Sequence, residues 1–183
     1  MLYIIRHGKT EWNVRRKIQG RTDVPLNEEG REMARAAALE YADVHFDVCY
    51  CSPLLRARET AELLLNGRDV PIIYDDRLQE MCFGIYEGFE ASFDHPDCPV
   101  NVIFKEPEKY DFEIEGAESW DDLFGRTGDF LNSVALPLVN EGKDVLIVGH
   151  GAMNLSLTCQ IKNKPIAEFW SDSIENCKLK RLI

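Results

Sequence analysis

The stretch LYIIRHGKTEWN (residues 2–13) sets four apolar residues, Leu2, Tyr3, Ile4 and Ile5, directly against Arg6 and His7. Successive residues of a strand point to opposite faces, so an unbroken apolar run reads as a strand buried on both sides. Strands of that kind belong to parallel sheets covered by helices. A charged pair that ends such a strand stands outside the core, at the edge of the sheet. The question is what else reaches that edge.

Outward from residue 13, apolar strands alternate with helical patterns. NEEGREMARAAALEYA (27–42) predicts a helix with Asn27 as N-cap and Met33, Ala37 and Tyr41 on one face. FDVCYC (46–51) predicts a second strand, with Cys49 and Cys51 on the same face. In SPLLRARETAELLL (52–65), Ser52 is placed as an N-cap and Pro53 as the first helical residue. PIIY (71–74) is a short third strand, DVLIVGHG (144–151) a fourth that runs into a turn, and KLKRLI (178–183) the last. AMNLSLTCQI (152–161) is a helix, and residues 119–142 predict a long one bent either near Gly125 to Gly128 or at Pro137. Residues 89–117, with Pro96, Pro99 and Pro107, show no period and read as a cap-like insertion carrying short helices. Alternating strands and helices imply right-handed crossovers and a mainly parallel sheet, an α/β fold.

The whole chain supports these readings. At 183 residues and 21.0 kDa it fits a single domain, 1–183. No apolar run is long enough for a membrane span or placed as a secretory signal, so a cytoplasmic location is expected. The net charge of −11 argues against nucleic acid or an anionic membrane as a partner. Charge is nevertheless uneven: residues 6–21 are net +5, leaving −16 elsewhere, as expected of a site for a small anion in an acidic chain. The six cysteines form no CxxC pair and have no histidine at ligand spacing, which points to free thiols. His45 and His95 read as surface residues.

In mainly parallel sheets ligands bind beyond the carboxyl ends of the strands. Four segments deliver polar groups there: Arg6 and His7, Ser52 to Arg56, Glu80, and Gly149 to Gly151 around His150. Two histidines, two arginines and one carboxylate make a poor metal site, and no metal or cofactor is expected. They suit phosphate, because the guanidinium fork matches its oxygens and Arg56 falls in a helix's first turn, where free N–H groups attract anions. Flanking cations should keep His7 neutral, with a lone pair able to attack phosphorus. Glu80 is the candidate proton donor, with Arg6 and Arg56 pulling its proton affinity down and a bound phosphate pushing it up.

These residues resemble the histidine phosphatase superfamily in its phosphoglycerate mutase-like branch. RHGKTEWN (6–13) is similar to that branch's RHG-x-T-x-x-N signature, and QGRTDVPLNEEG (19–30) to G-x-x-D-x-P-L-x-x-x-G. SPLLRARETA (52–61), LQEMCFGIYEG (78–88), GAESWDDLFGR (116–126) and VGHG (148–151) resemble the remaining elements, in the same order. The resemblance implies a three-layer α/β/α sandwich, His7 as the phosphorylated nucleophile and Glu80 as the proton donor. It also implies that Arg6, Arg56 and His150 clamp the phosphoryl group, that Asn13, Gln19 and Gly20 line the pocket with Thr10 and the Gly151 backbone nearby, and that no metal is used. Two features depart from the pattern: Ala117 interrupts the glycine-rich approach to Glu118 and Ser119, and residues 89–115 match nothing in it.

Phosphatase and mutase share this core and differ in how long the phosphohistidine is kept from water. Only 69 residues separate Glu80 from His150, fewer than such mutases usually carry, with no counterpart of their substrate-enclosing insertion. Hydrolysis of a small phosphorylated metabolite is therefore expected over bisphosphoglycerate-dependent mutase action. A non-catalytic phosphoryl-binding module is the third reading; it gives no reason for a proton donor.

Overall fold

The computed structural model describes residues 1–90, 98–111 and 113–183. The sequence reading of His95 and part of that of the 89–117 insertion lie outside those residues. Five strands form one sheet: β1 (Leu2–Arg6), β2 (Val48–Cys51), β3 (Ile72–Tyr74), β4 (Val145–Gly149) and β5 (Leu179–Arg181). Their order is β3-β2-β4-β1-β5, parallel throughout except for β5, which runs antiparallel to β1 at the edge. Lys180 and Arg181 suit that position, because charge on an edge strand blocks further pairing.

The helices are α1 (Glu11–Val14), α2 (Glu28–Glu40), α3 (Leu55–Leu64), α4 (Asn101–Lys105), α5 (Trp120–Phe130), α6 (Leu136–Asn140) and α7 (Gly151–Lys162). The alternation of β1 divides the core as expected of a doubly buried strand. Tyr3 and Ile5 pack with Ala34 and Ala37 of α2 and with Ala57, Ala61 and Leu64 of α3. Leu2 and Ile4 pack with Phe130 of α5 and with Met153 and Leu157 of α7. β4 repeats this, with Leu146 and Val148 on the first side and Val145 and Ile147 on the second. The result is a three-layer α/β/α sandwich. Cys49 and Cys51 face the α2–α3 layer together, and all six cysteines are free.

A third apolar cluster lies apart from both sheet faces. Val100 and Ile103 around α4 pack there with Tyr110, Ile114, Leu123 of α5 and Leu155 of α7. Part of the 89–117 stretch thus rests on α5 and α7 through short helical turns, α4 and a 3-10 turn at Pro107–Lys109.

Three local expectations need adjustment. The N-cap of α3 is Leu54, not Ser52, and Pro53 precedes the helix. Asp23 supplies the missing cap: its Oδ1 accepts the Leu55 N–H at 2.7 Å, which leaves Ser52 for another partner. Between α5 and α6 the chain forms a π turn, Leu131–Ala135, immediately ahead of Pro137. Proline has no N–H and collides with the carbonyl four residues back, so the helix widens there and not at its glycines. α7 starts one residue earlier than expected, at Gly151, with His150 as its N-cap.

The turn after β1 is held by backbone against backbone. The Asn27 N–H donates to the Lys9 carbonyl at 3.0 Å, and the Asn27 side chain caps α2 at the Gly30 N–H at 2.8 Å. A Cβ on Gly30 would stand 2.0 Å from the Lys9 carbonyl oxygen, and one on Gly8 would stand 2.4 Å from that of Gly30. Gly30→Ala is therefore expected to destabilise the protein by about 1–3 kcal/mol through overpacking. This should hold although alanine is the better helix former by about 1 kcal/mol. A urea midpoint at or above that of the parent protein would contradict it.

Candidate active site

β1 and β4 lie side by side in parallel, with Arg6 opposite Gly149. The residues that follow each strand therefore emerge together: the His7 and His150 rings have centroids 5.2 Å apart. Arg56 enters from the first turn of α3, and Glu80 from the segment after the 3-10 turn Asp76–Leu78. All are withdrawn from solvent, with Arg56 and His150 0% exposed, His7 2% and Glu80 9%.

His7 has a defined tautomer. Its Nδ1 lies 2.6 Å from the Gly8 carbonyl oxygen, and since a carbonyl only accepts, Nδ1 carries the hydrogen and Nε2 the lone pair. The main chain around it is tied down. The His7 N–H donates to Gly149 O at 3.0 Å, Asn176 Nδ2 to His7 O at 2.6 Å, and the Gly8 N–H to Thr60 Oγ1 at 3.0 Å. Burial first, then the positive charges of Arg56 and Arg6, hold the His7 pKa well below the usual imidazole value. The same causes, with His7 added, lower that of His150. His150 Nε2 is 2.8 Å from Ser52 Oγ, the hydroxyl that α3 did not use as its cap, and its Nδ1 is buried without a partner.

The arginines are buried and incompletely satisfied. Arg56 donates from Nη1 to Thr22 O at 2.9 Å and from Nη2 to Gly20 O at 2.6 Å, while Arg6 Nη1 donates to Ile174 O at 3.2 Å. In both, Nε is buried with no partner. Desolvation brings the Arg56 pKa down to about 10 and also lowers that of Arg6, with Glu80 opposing both shifts. Unmatched donors on buried cations are costly and fit an anion.

Glu80 occupies the amino end of α7. Its Oε1 accepts the N–H groups of Met81 at 2.9 Å and Met153 at 3.0 Å, and its Oε2 that of Ala152 at 3.3 Å. Its main chain is clamped from behind: Arg126 donates to the carbonyls of Arg77, Gln79 and Glu80 at 2.6, 2.7 and 3.1 Å. Glu118, 7% exposed, pairs with Arg126 through both oxygens, at 2.6 and 2.9 Å. Sequence reasoning gave Arg126 and Glu118 no role; the resemblance of residues 116–126 was their only signal.

A cavity of about 230 Å³ opens onto this cluster, lined by Arg6, His7, Arg56, Glu80 and Gly151 together with Asn13, Gln19 and Gly20. Gly20 has φ +54°, and a Cβ there would meet Glu87 Oε1 at 1.9 Å. Thr10 is placed behind the lining: fully buried, it caps α1 and donates from Oγ1 to Gln19 Oε1 at 2.8 Å. The lining also includes Arg16 and Lys17 from the basic segment 6–21, and Ile18, Phe83, Phe104, Ala152 and Trp170, which the sequence did not single out as site residues. Phe104 and Trp170 sit on short turns without periodic neighbours, so no pattern marks them. Among the described residues, the one cluster of potential metal ligands is His45, Asp47 and Asp144, in which His45 is exposed; it lies outside the residues of this cavity.

A sequence profile described as "Histidine phosphatase superfamily (branch 1)" matches residues 2–183. The chain is 30% identical over 178 residues to phosphoserine phosphatase 1 of Hydrogenobacter thermophilus, covering 96% of this chain and 82% of that protein. It is 29% identical over 180 residues to 2,3-bisphosphoglycerate-dependent phosphoglycerate mutase 2 of Gloeobacter violaceus, covering 97% and 82%. Among solved structures, Bacillus stearothermophilus YhfR superposes with a TM-score of 0.84 at 34% identity, covering 97% of this chain and 88% of that one. With a profile spanning almost every residue, and relatives on both sides of the phosphatase–mutase divide, the chain belongs to the histidine phosphatase superfamily, branch 1, close to its phosphoglycerate mutase-like members.

Proposed function

We propose that this protein is a metal-independent phosphatase that hydrolyses small phosphomonoesters through a phosphohistidine at His7. The observation that carries the reading is the state of that ring: neutral, with Nδ1–H committed to Gly8 O and Nε2 free, beside Arg6, Arg56 and His150. Phosphomonoesters react very slowly unaided, and acid–base help supplies only about 10²–10⁴ of the rate, so charge and positioning must supply more.

In the first step His7 Nε2 attacks phosphorus while the P–O bond to the alcohol breaks. Arg6 and Arg56 offer their unmatched Nε–H groups to the phosphoryl oxygens, and His150 offers Nδ1–H once the Ser52 hydroxyl donates to its Nε2. Glu80 gives a proton to the departing alkoxide. In the second step water attacks phosphorus, the P–N bond breaks, and Glu80 takes the water proton, restoring the starting state. Glu80 is held for both transfers by the Arg126 clamp on its main chain. Hydrolysis is preferred to mutase action on the short span between Glu80 and His150, which leaves less chain to shield the phosphohistidine from water.

Three outcomes follow from this chemistry. His7→Ala should lower phosphate release by at least about 10⁴-fold, and the parent enzyme quenched during turnover of a ³²P-labelled ester should carry acid-labile label that the variant lacks. Turnover should persist in EDTA; its loss would defeat the metal-independent reading. Because His7 stays neutral well below pH 6.5, the acid limb of kcat/KM, after correction for the phosphomonoester's own second ionisation at about pH 6, should fall below the ordinary imidazole range, and a corrected limb centred at 6.5 would contradict it.

Stability carries the same signature. The unfolded chain binds protons on His7 and His150 near pH 6.5 while the folded chain does not, so folding free energy should fall as pH drops below 6.5. The slope is about 1.4 kcal/mol per pH unit for each ring, measurable by urea unfolding between pH 6.5 and 5, and it should flatten in His7→Gln.

A further inference from the structure

The half of the cavity that would hold the alcohol part of a substrate has its own chemistry. Phe83, Phe104 and Trp170 form a continuous row: ring centroids are 5.6 Å apart for Phe83–Phe104, at 36°, and 5.2 Å for Phe104–Trp170, at 37°. The indole N–H of Trp170 is spent on the Ile103 carbonyl at 2.7 Å, so the ring presents carbon to the cavity. Ile18 and Ala152 add further apolar surface.

Among the described residues, the alcohol side of the lining also carries polar side chains, several of them donors. Asn13 Oδ1 is taken by the Thr10 N–H at 3.0 Å and Gln19 Oε1 by the Thr10 hydroxyl at 2.8 Å, which leaves their amide N–H groups. Arg16 and Lys17 add cations at the more exposed rim; among the described residues Lys17 has no carboxylate partner, and its Nζ stands 5.8 Å over the Trp12 ring. The carbonyls of Ile18 and Gly20 are already bound, by the Gly88 N–H at 2.8 Å and by Arg56 at 2.6 Å. Among the described residues, His7 Nε2 and Glu80 are also acceptors in this lining, and both are engaged by the proposed reaction.

A flat hydrocarbon would gain contact with the three rings, which a hydroxylated or ammonium-bearing chain forgoes. Resting on the phosphatase reading above, we infer that the preferred substrates are phosphomonoesters of compact alcohols with a flat apolar face that lies on this row of rings. Sugar phosphates, glycerol phosphates and amino-acid phosphates have no such face and are disfavoured.

The test compares kcat/KM of the parent enzyme for benzyl phosphate and 4-(carboxy)benzyl phosphate against glycerol 3-phosphate and O-phosphoserine. All four release alkyl alcohols, so leaving-group strength does not decide the order. The benzyl esters should be favoured by at least about tenfold, each aromatic contact supplying about two- to tenfold. Trp170→Leu and Phe104→Leu should each reduce that preference about threefold, chiefly through KM. Independently of any variant, benzylphosphonate should inhibit the parent enzyme at least about tenfold more tightly than methylphosphonate. Equal or better turnover of glycerol 3-phosphate or O-phosphoserine, or equal inhibition by the two phosphonates, overturns the inference while leaving the phosphatase intact. Absence of His7-dependent phosphate release from all four esters overturns the phosphatase reading, and this inference with it.

Discussion

The structure depends on the parallel pairing of two strands that are apolar on both faces. With β1 and β4 in contact and Arg6 opposite Gly149, residues separated by 143 positions leave the sheet at the same point. Neither strand has a solvent face on which to carry polar chemistry, so each can present it only where it ends. The polar cluster at the sheet edge is the part of the chain that the core cannot absorb. The third apolar cluster packs beside it, with Ile18, Phe83 and Ala152 belonging both to that cluster and to the cavity lining.

Burial explains the electrostatics. Two guanidinium groups and two imidazoles buried together would repel if all were charged, and the protein resolves this by keeping the imidazoles uncharged, setting Glu80 against the arginines and engaging them with backbone carbonyls of residues 20, 22 and 174. Each arginine nevertheless keeps one buried N–H without a partner. The folded state carries that cost in advance, so under the proposed function a phosphoryl group would meet donors that need not reorganise. The histidines contribute through their tautomers: Gly8 O sets one and Ser52 bears on the other.

Much of this was legible because it is local or periodic. The double burial of β1, the Asn27 cap and the ordered motifs all follow from neighbouring residues, and they lead to the sandwich and to the edge where the polar groups meet. What escaped is long-range. Ser52 looks like a helix cap until Asp23, from a distant segment, is seen to take that role. The π turn arises from Pro137 but falls ahead of it, where no residue marks it. Phe83, Phe104 and Trp170 meet in space from three separate elements, and a lone aromatic in an irregular segment has no spacing from which its partners could be read.

The two ends of the least regular stretch are anchored by carboxylates. Glu87 accepts the main-chain N–H groups of Arg21, Thr22 and Phe83 at 2.9, 2.8 and 3.1 Å. Glu118 grips Arg126, and so the carbonyl track that carries Glu80. Between these anchors the described residues around α4 are held by packing instead: Val100 and Ile103 rest on Leu123 and Leu155. Phe104 reaches the cavity from that wall, while Arg126 and Glu118, which fix the main chain at Glu80, are not among the cavity's lining residues. The wall of the pocket and the fixing of Glu80 thus rest on separate residues.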